Sequence, residues 1–523
     1  MMPKNLPELA HPSGEQPPVG SLVGPAAEIA PSTDVVIDSY AGRVHVEWAT
    51  DAPVTPLGQL PFFIDFLKTA GLFDSWVDDC PLAYTSSNRP QTRDVLGTVM
   101  LSFLSGHRRY AHIAALRSDG VLPDLLGMKK VVSEDAVRRA FAAIEEGAGC
   151  AWLQRHLDKC SMPLLGEDWI LDVDTTVKLL YGHQEGAVIG YNPTKPGRPS
   201  HSYHTYIMGN LRLVLGVEVH AGNESMSKHT ASGLWAMLDR IGHNHWPVLL
   251  RGDCGFGNEP VMVGAEQRGL PYLFKLRLTA NVKKAIERAM RDTGWSDAGH
   301  GWQGKKGQLR LTGWSRQRQI VMLRRRLGGK PTVTKENEHG QLLLGFAEVG
   351  PGKEVYEYAA LVSPLDVEIL TFGQLYRDRA DAENNFDELK NQWGWGGFTT
   401  QDLHRCRLMA SSMALIYDWW NLFVRLVEPD RHMEAITSRP LFMHAIAAKT
   451  RHAGQTTLRI ASSHAKANWA ADVLAKAAAF LRDLLSNAEQ LTSEQRWSEI
   501  LSYAMRKYLK GRKLRAPPRL APA

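Results

Sequence analysis

Hydrophobic and polar positions along the chain change their rhythm several times. Residues 1–32 show no period and are rich in Pro, Gly and Ala, as a mobile leader would be. Val35-Val-Ile and Arg43-Val-His-Val-Glu-Trp48 then alternate like two short strands around Ala41-Gly42. From Leu60 to about Leu157 the spacing is helical, as in Phe62-Phe63-x-x-Phe66-Leu67 and Val95-Leu96-x-x-Val99-Met100-x-x-Phe103-Leu104. Ser133, followed by Glu134 and Asp135, has the form of an N-cap with acids in the first turn. From Trp169 the rhythm becomes that of strands: Trp169-Ile-Leu-Asp-Val-Asp174, Val177-Lys-Leu-Leu-Tyr181 and Leu211-Arg-Leu-Val-Leu-Gly-Val-Glu-Val219. A helix near Thr230–Ile241 leads to Pro247-Val-Leu-Leu-Arg-Gly-Asp253, and a helix near Glu259–Arg268 leads to Tyr272-Leu-Phe-Lys-Leu276. Three strands, then helix–strand–helix–strand, predict a mixed α/β sheet. Residues 280–365 break this order with strand-like pieces at Gln319–Leu323, Gln341–Phe346 and Tyr356–Val362, and read as a β-rich insertion. Helical patterning returns near Phe372 and runs to the C-terminus, where Pro517-Pro518 precede a frayed tail.

A chain of 523 residues is too long for one ordinary domain. Its 44% hydrophobic and 22% charged content is that of a soluble globular protein. It opens on Pro, Gly and Glu rather than a signal peptide, and no stretch reaches the roughly 18 apolar residues of a membrane span. A cytoplasmic location with no membrane partner is expected. Cys80, Cys150, Cys160, Cys254 and Cys406 lie far apart, which speaks against a disulfide framework or a structural zinc site made of cysteines. The net charge of +6 is uneven: residues 1–60 carry −5 and the rest +11. Residues 301–330 hold nine Lys/Arg and residues 501–523 hold seven, with no acid in either block. Such blocks are candidates to meet a polyanion, the alternative being solvated faces.

Candidate chemistry gathers on carboxylates. Residues two apart on a strand share a face, so Asp172 and Asp174 stand side by side on an otherwise apolar strand. Asp253 closes a second apolar strand and runs into Gly255-Phe-Gly257. Acids at strand ends collect at one rim of a sheet, where open α/β folds bind ligands. A third set lies on a predicted helix, where Tyr376, Arg379, Glu383, Asp387 and Lys390 share one stripe at roughly 100° per residue. The period alone leaves Glu383 and Asp387 as alternatives. Elsewhere, His201-x-x-His204 and His243-x-His245 are possible transition-metal pairs, each without a third partner nearby in sequence.

The spacing Tyr376-(2)-Arg379-(3)-Glu383-(6)-Lys390 resembles the Y-(2)-R-(3)-E-(6)-K signature of bacterial insertion-sequence transposases of the DDE type. Leu171-Asp-Val-Asp174-Thr-Thr176 and Leu250-Arg-Gly-Asp253-Cys-Gly-Phe-Gly257 are similar to that family's first-Asp and second-Asp segments. Gly182-His-Gln-Glu-Gly186 and Tyr191-Asn-Pro-Thr-Lys-Pro-Gly-Arg-Pro199 also look like the family, and the likeness covers roughly residues 33–430. It implies a ribonuclease-H-like core at 161–279 and 366–430, interrupted by the insertion at 280–365. Before it, the mainly helical, partly basic region at 33–160 reads from its own pattern as a DNA-binding region, the alternative being a purely structural bundle, and a helical C-terminal region with a basic tail follows at 431–523. By this resemblance Asp174, Asp253 and Glu383 are the catalytic acids, holding two Mg²⁺ ions for which Mn²⁺ substitutes. Asp174 is favoured over Asp172 for the Thr after it, and Asp172, Thr176 and Asp387 become supporting residues.

The implied partners are double-stranded DNA, as terminal inverted repeats and target, and a second copy of the chain in at least a dimer. Excision through a DNA hairpin is implied by the resemblance alone. Tyr376, Arg379, Lys390, Lys195, Arg198, Trp302 and Trp314 are the expected DNA contacts, and Trp295, Trp302 or Trp314 is a candidate to stack on a flipped base. Three other readings remain at this stage: a nuclease that cuts without joining, a non-catalytic DNA-binding relative, and a two-carboxylate glycosidase, in which the basic blocks would have no role.

Overall fold

The computed structural model describes residues 35–49, 52–84, 88–190, 192, 195–224, 226–327, 346–349, 355–395, 397–461, 465–486 and 491–514. The chain divides into two compact units, Met1–Ala52 and Pro53–Ala523. In the first, Val35–Ser39 and Gly42–Val46 pair as an antiparallel hairpin, as their alternation predicts. Ser39 Oγ donates to Gly42 O at 2.7 Å and accepts from Ala41 N at 3.2 Å, which closes the turn. The expected leader, residues 1–32, lies outside the described residues.

The second unit is built on a mixed sheet of eleven strands. Ile170–Leu179 pairs antiparallel with Pro199–Met208, which pairs antiparallel with Leu213–Ala221. On the other side of Ile170–Leu179, Leu249–Gly252 and then Tyr272–Lys275 run parallel to it. Both parallel strands follow helices, Met226–Ile241 and Glu259–Gln267, at the places where the helical spacing was read.

Two differences from the sequence pattern matter here. Trp169–Asp174 and Val177–Tyr181 are not two strands but one, Ile170–Leu179. The missing middle strand is Pro199–Met208, whose Ser200, His201, Ser202, His204 and Thr205 are all buried. A strand covered on both faces has no polar side to alternate with, and here hydroxyls and imidazoles occupy buried positions, so the alternation is absent.

The insertion begins with a helix, Ala280–Met290, rather than a strand. Its strands Ser296–Gly299, Trp302–Leu309, Arg318–Arg326 and Val355–Val362 then extend the same sheet, joined to Tyr272–Lys275 through Leu361↔Lys275 and Val362↔Phe274. Residues 341–345 of the expected strand Gln341–Phe346 lie outside the described residues.

One long helix, Leu403–Val427, is buried on nearly every side, which its all-round apolar sequence requires. The N-terminal helices pack on it: Trp76 stacks on Trp152 at 5.5 Å and meets Trp419 edge-on, and Phe63 meets Trp420. The Ser133 cap forms as predicted, with Ser133 Oγ accepting from Ala136 N. The C-terminal region is not wholly helical. Ala447–His452 and Gln455–Ile460 form a hairpin, and Val54–Thr55 pairs with its first strand. Ala453 and Gly454 at its turn have φ of 48° and 79°, as a two-residue turn between twisted strands demands. No described helix is long and apolar enough to cross a membrane.

Candidate active site

The parallel register Asp172↔Arg251 and Val173↔Gly252, carried one residue further, sets Asp174 beside Asp253. Both aspartates are half-buried. Asp174 Oδ1 accepts from the backbone N of Thr175 at 2.7 Å, and Asp253 Oδ1 accepts from Gly255 N at 2.8 Å. Burial and the facing charge of Asp253 push the Asp174 carboxyl up to about 7, against the pull of Arg379 and Lys390. Two carboxylates held this way cost free energy unless a cation stands between them.

Asp172 is occupied otherwise. Arg251 donates to both of its oxygens at 2.7 Å, and each side chain is only 2–3% exposed. The third guanidinium nitrogen donates to Leu375 O at 3.0 Å, one residue before Tyr376. Asp172 therefore fastens the strand to the helix that carries the third acid. Gly209 makes room for it, since a Cβ there would lie 1.8 Å from Asp172 Oδ2.

That helix spans Ile369–Asn391, and the predicted stripe runs along it. Arg377 donates to Ala298 O and Gly299 O of the insertion, while Tyr417 on the buried helix donates to Asn385 at 2.5 Å. Arg379 lies in the field of Asp174, Glu383, Asp253 and Asp172. Burial alone would lower its pKa, but the four acids raise it above the ordinary value. It donates to Glu383 at 3.0 Å, and Glu383 is 63% exposed. Burial lowers the pKa of Lys390 despite Asp174 and Asp387. Asp387 is exposed and accepts from Asn391 at 2.7 Å. Glu388, off the stripe, is buried and caps the helix Ala435–Phe442 by accepting from Ala435 N.

Asp174, Asp253, Arg379, Glu383 and Lys390 thus form one electrostatic cluster, with Arg379 among the acids. Among the described residues, the group of three whose ligand atoms all lie within 4.8 Å of one another is a different one, His204, Glu218 and His220.

The remaining candidates are spread. Thr176 is buried two residues beyond Asp174 on the same face. Lys195 and Arg198 flank the ring of Tyr181, which is 68% exposed and which sequence reasoning missed. Trp302 is half-buried, lies 5.9 Å edge-on from Tyr376 and carries Arg325 on its face. Trp314 is buried beneath Arg318. Trp295 instead lines an open cavity of about 440 Å³ with Arg324, Tyr356 and Tyr358. The basic block of 301–330 is largely engaged within the chain. Arg318 holds Glu259 and Glu266, Lys305 holds Asp292, Lys306 holds Asp366, and Arg325 holds Glu357. Arg506, Arg512 and Lys513 in the C-terminal block likewise pair with Asp430, Glu167 and Glu499.

The family model described as transposase DDE domain group 1 matches residues 85–482. The chain belongs to this family. A piggyBac transposase synaptic complex with hairpin DNA, solved by cryo-EM, is similar to this DDE-family chain at 10% identity and a TM-score of 0.36, covering 87% of this chain and 82% of its own. No curated protein matches the transposase-family chain in sequence.

Proposed function

We propose that the chain cuts DNA at the ends of its own element and joins the freed 3′-hydroxyl to a target, with Asp174, Asp253 and Glu383 as its catalytic acids. The observation that carries this reading is Asp174, in the middle of Ile170–Leu179 where its parallel pairing ends, set against Asp253 just past the end of Leu249–Gly252, with Arg379 and Glu383 on the helix beside them. Three antiparallel strands followed by two parallel ones support a ribonuclease-H-like core.

The donor set suits two Mg²⁺ ions, or Mn²⁺ in their place: oxygen ligands only, two of them half-buried and mutually repelling, the third exposed. When bound, such ions sharpen the attacking oxygen and stabilise the leaving one at the scissile phosphate. Glu383 must turn from Arg379 towards the two aspartates to join them. Its exposed position leaves room for that rotation. Arg379 then holds positive charge beside the three acids, fit for a phosphate oxygen, and Tyr376 and Lys390 extend the same face along the backbone. Lys195 and Arg198 with Tyr181 offer a second phosphate contact, and Trp302 braces Tyr376. The substrate is double-stranded DNA bearing the element's terminal repeats. Pairing two ends calls for at least a dimer, and excision runs through a hairpin.

The test uses the DNA that flanks this gene, as a labelled fragment with Mg²⁺. Cleavage at a fixed position, followed by joining of a pre-cleaved end to plasmid, is the expected result. Cleavage without joining makes the chain a nuclease. Binding with no Mg²⁺- or Mn²⁺-dependent cleavage removes the proposal.

A further inference from the structure

Behind the acid-bearing strand lies a second cluster of ligating side chains. Asp174 pairs with Thr205 across the sheet, while its neighbour Thr175 pairs with His204. Successive strand residues point to opposite faces, so His204 projects away from the Asp174 side. His204 stands opposite Glu218 in the register of Pro199–Met208 with Leu213–Ala221, and Ser202 stands opposite His220. His204, Glu218 and His220 therefore share one face. Their ligand atoms lie within 4.8 Å of one another, and the two imidazole rings are 4.9 Å apart.

The surroundings orient these groups. Tyr206 donates to Glu218 Oε1 at 3.1 Å, and His220 Nε2 lies 2.9 Å from Glu218 Oε2. On the far side of its ring, His220 Nδ1 is 3.1 Å from Glu224 Oε2. A carboxylate on the outer nitrogen of an imidazole is the usual support of a metal-binding histidine, because it fixes the tautomer and raises the basicity of the inner nitrogen. Helix Met226–Ile241 passes over the cluster at Gly233, where a Cβ would lie 2.3 Å from Glu218 Oε1 and 2.6 Å from Tyr206 Oη. His204 is buried, whereas the side chains of His220 and Glu218 are 19% and 30% exposed, so an ion has a way in.

We propose that His204, Glu218 and His220 bind a borderline transition metal, zinc for preference, at a site separate from the three catalytic acids. Two imidazoles and one carboxylate are a donor set that zinc takes, with a fourth position left to water. The hard oxygen set around Asp174 favours Mg²⁺ instead, so the two faces of one sheet select different ions. The ion would lock together two strands and, through Glu224, the loop after them, directly behind the strand that presents Asp174. His201, the sequence neighbour expected to partner His204, turns instead to Glu185 O at 2.8 Å.

The full-length protein, stripped with chelator and titrated with Zn²⁺ against a chromophoric competitor, tests this. About one tight equivalent is expected, with Co²⁺ in its place giving a tetrahedral visible spectrum. His220→Ala and Glu218→Gln should each remove the site, and Glu224→Ala should weaken it about 10–100-fold. Asp253→Asn should leave it intact. Circular dichroism confirms that each variant is folded, and the half-exposed His220 position guards against a purely structural loss. No tight zinc in the unaltered protein overturns the proposal. So does zinc that survives His220→Ala and Glu218→Gln, or that disappears with Asp253→Asn.

Discussion

Asp172 and Asp174 stand two residues apart on one strand and one face, in opposite electrostatic surroundings. Asp172 is closed off: both oxygens accept from Arg251 at 2.7 Å, almost none of the pair reaches solvent, and the same guanidinium reaches Leu375 O on the Glu383 helix. Asp174 is left open, half-buried, and faces the like charge of Asp253. The first arrangement holds parts of the protein together. The second is a standing demand for positive charge, answered in this structure by Arg379 and Lys390. The two carboxylates are thus told apart by what completes them, a guanidinium for Asp172 and a second acid for Asp174, and not by their spacing.

The largest effect that would break this contrast is on cleavage. Removing an acid that holds a catalytic ion costs several kcal/mol of charge stabilisation. Asp253→Ala or Glu383→Ala should then slow strand cleavage by at least about 10³-fold, with end binding in a gel-shift assay changed little. Full cleavage by either variant would put both acids outside the site. Next comes stability. Asp172→Asn should destabilise the fold by about 3–5 kcal/mol in urea, because it strands a buried guanidinium. Asp174→Asn relieves a repulsion and should cost nothing measurable; equal losses would erase the distinction.

A smaller effect sharpens the comparison through pH. The Asp174 carboxyl is raised from 3.8 to about 7, so the folded chain holds a proton in that window that the unfolded chain has released. Its contribution to stability is full at acid pH and declines as pH rises from about 4 to about 7. The metal-free protein should show this decline more steeply than Asp174→Asn, and saturating Mg²⁺ should flatten it. The smallest effect lies away from both aspartates. Lys195→Ala or Arg198→Ala should weaken DNA binding only modestly and reduce the salt slope by about one each.

Much of the candidate site's local placement was legible because its signals are local. The strand pattern put Asp172 and Asp174 on one face, an apolar run ended at Asp253, and the helical period put Tyr376, Arg379, Glu383, Asp387 and Lys390 on one stripe. What remained hidden depends on pairing across the fold. The periodicity gave Asp172 and Asp174 equal standing, since only the parallel register reveals that Arg251 belongs to Asp172. Pro199–Met208 escaped because its polar side chains are buried, and with it the alignment of His204 against Glu218. The hairpin at Ala447–Ile460 was masked by the helical patterning on both sides, although Ala453-Gly454 carried a turn signal. The basic block of 301–330 read as either a polyanion surface or a solvated face, since its acidic partners, such as Glu259, Glu266 and Glu357, are remote in sequence.

The central claim is that Asp174, Asp253 and Glu383 share divalent cations. It is tested most directly by stripping the protein with chelator, refilling its histidine cluster with one equivalent of Zn²⁺, titrating with Mn²⁺ and following the free-ion electron paramagnetic resonance signal. The account predicts uptake of about two ions per chain, sharply weakened by Asp174→Asn, Asp253→Asn and Glu383→Gln alike. Uptake equal to that of the unaltered protein in all three variants would contradict it.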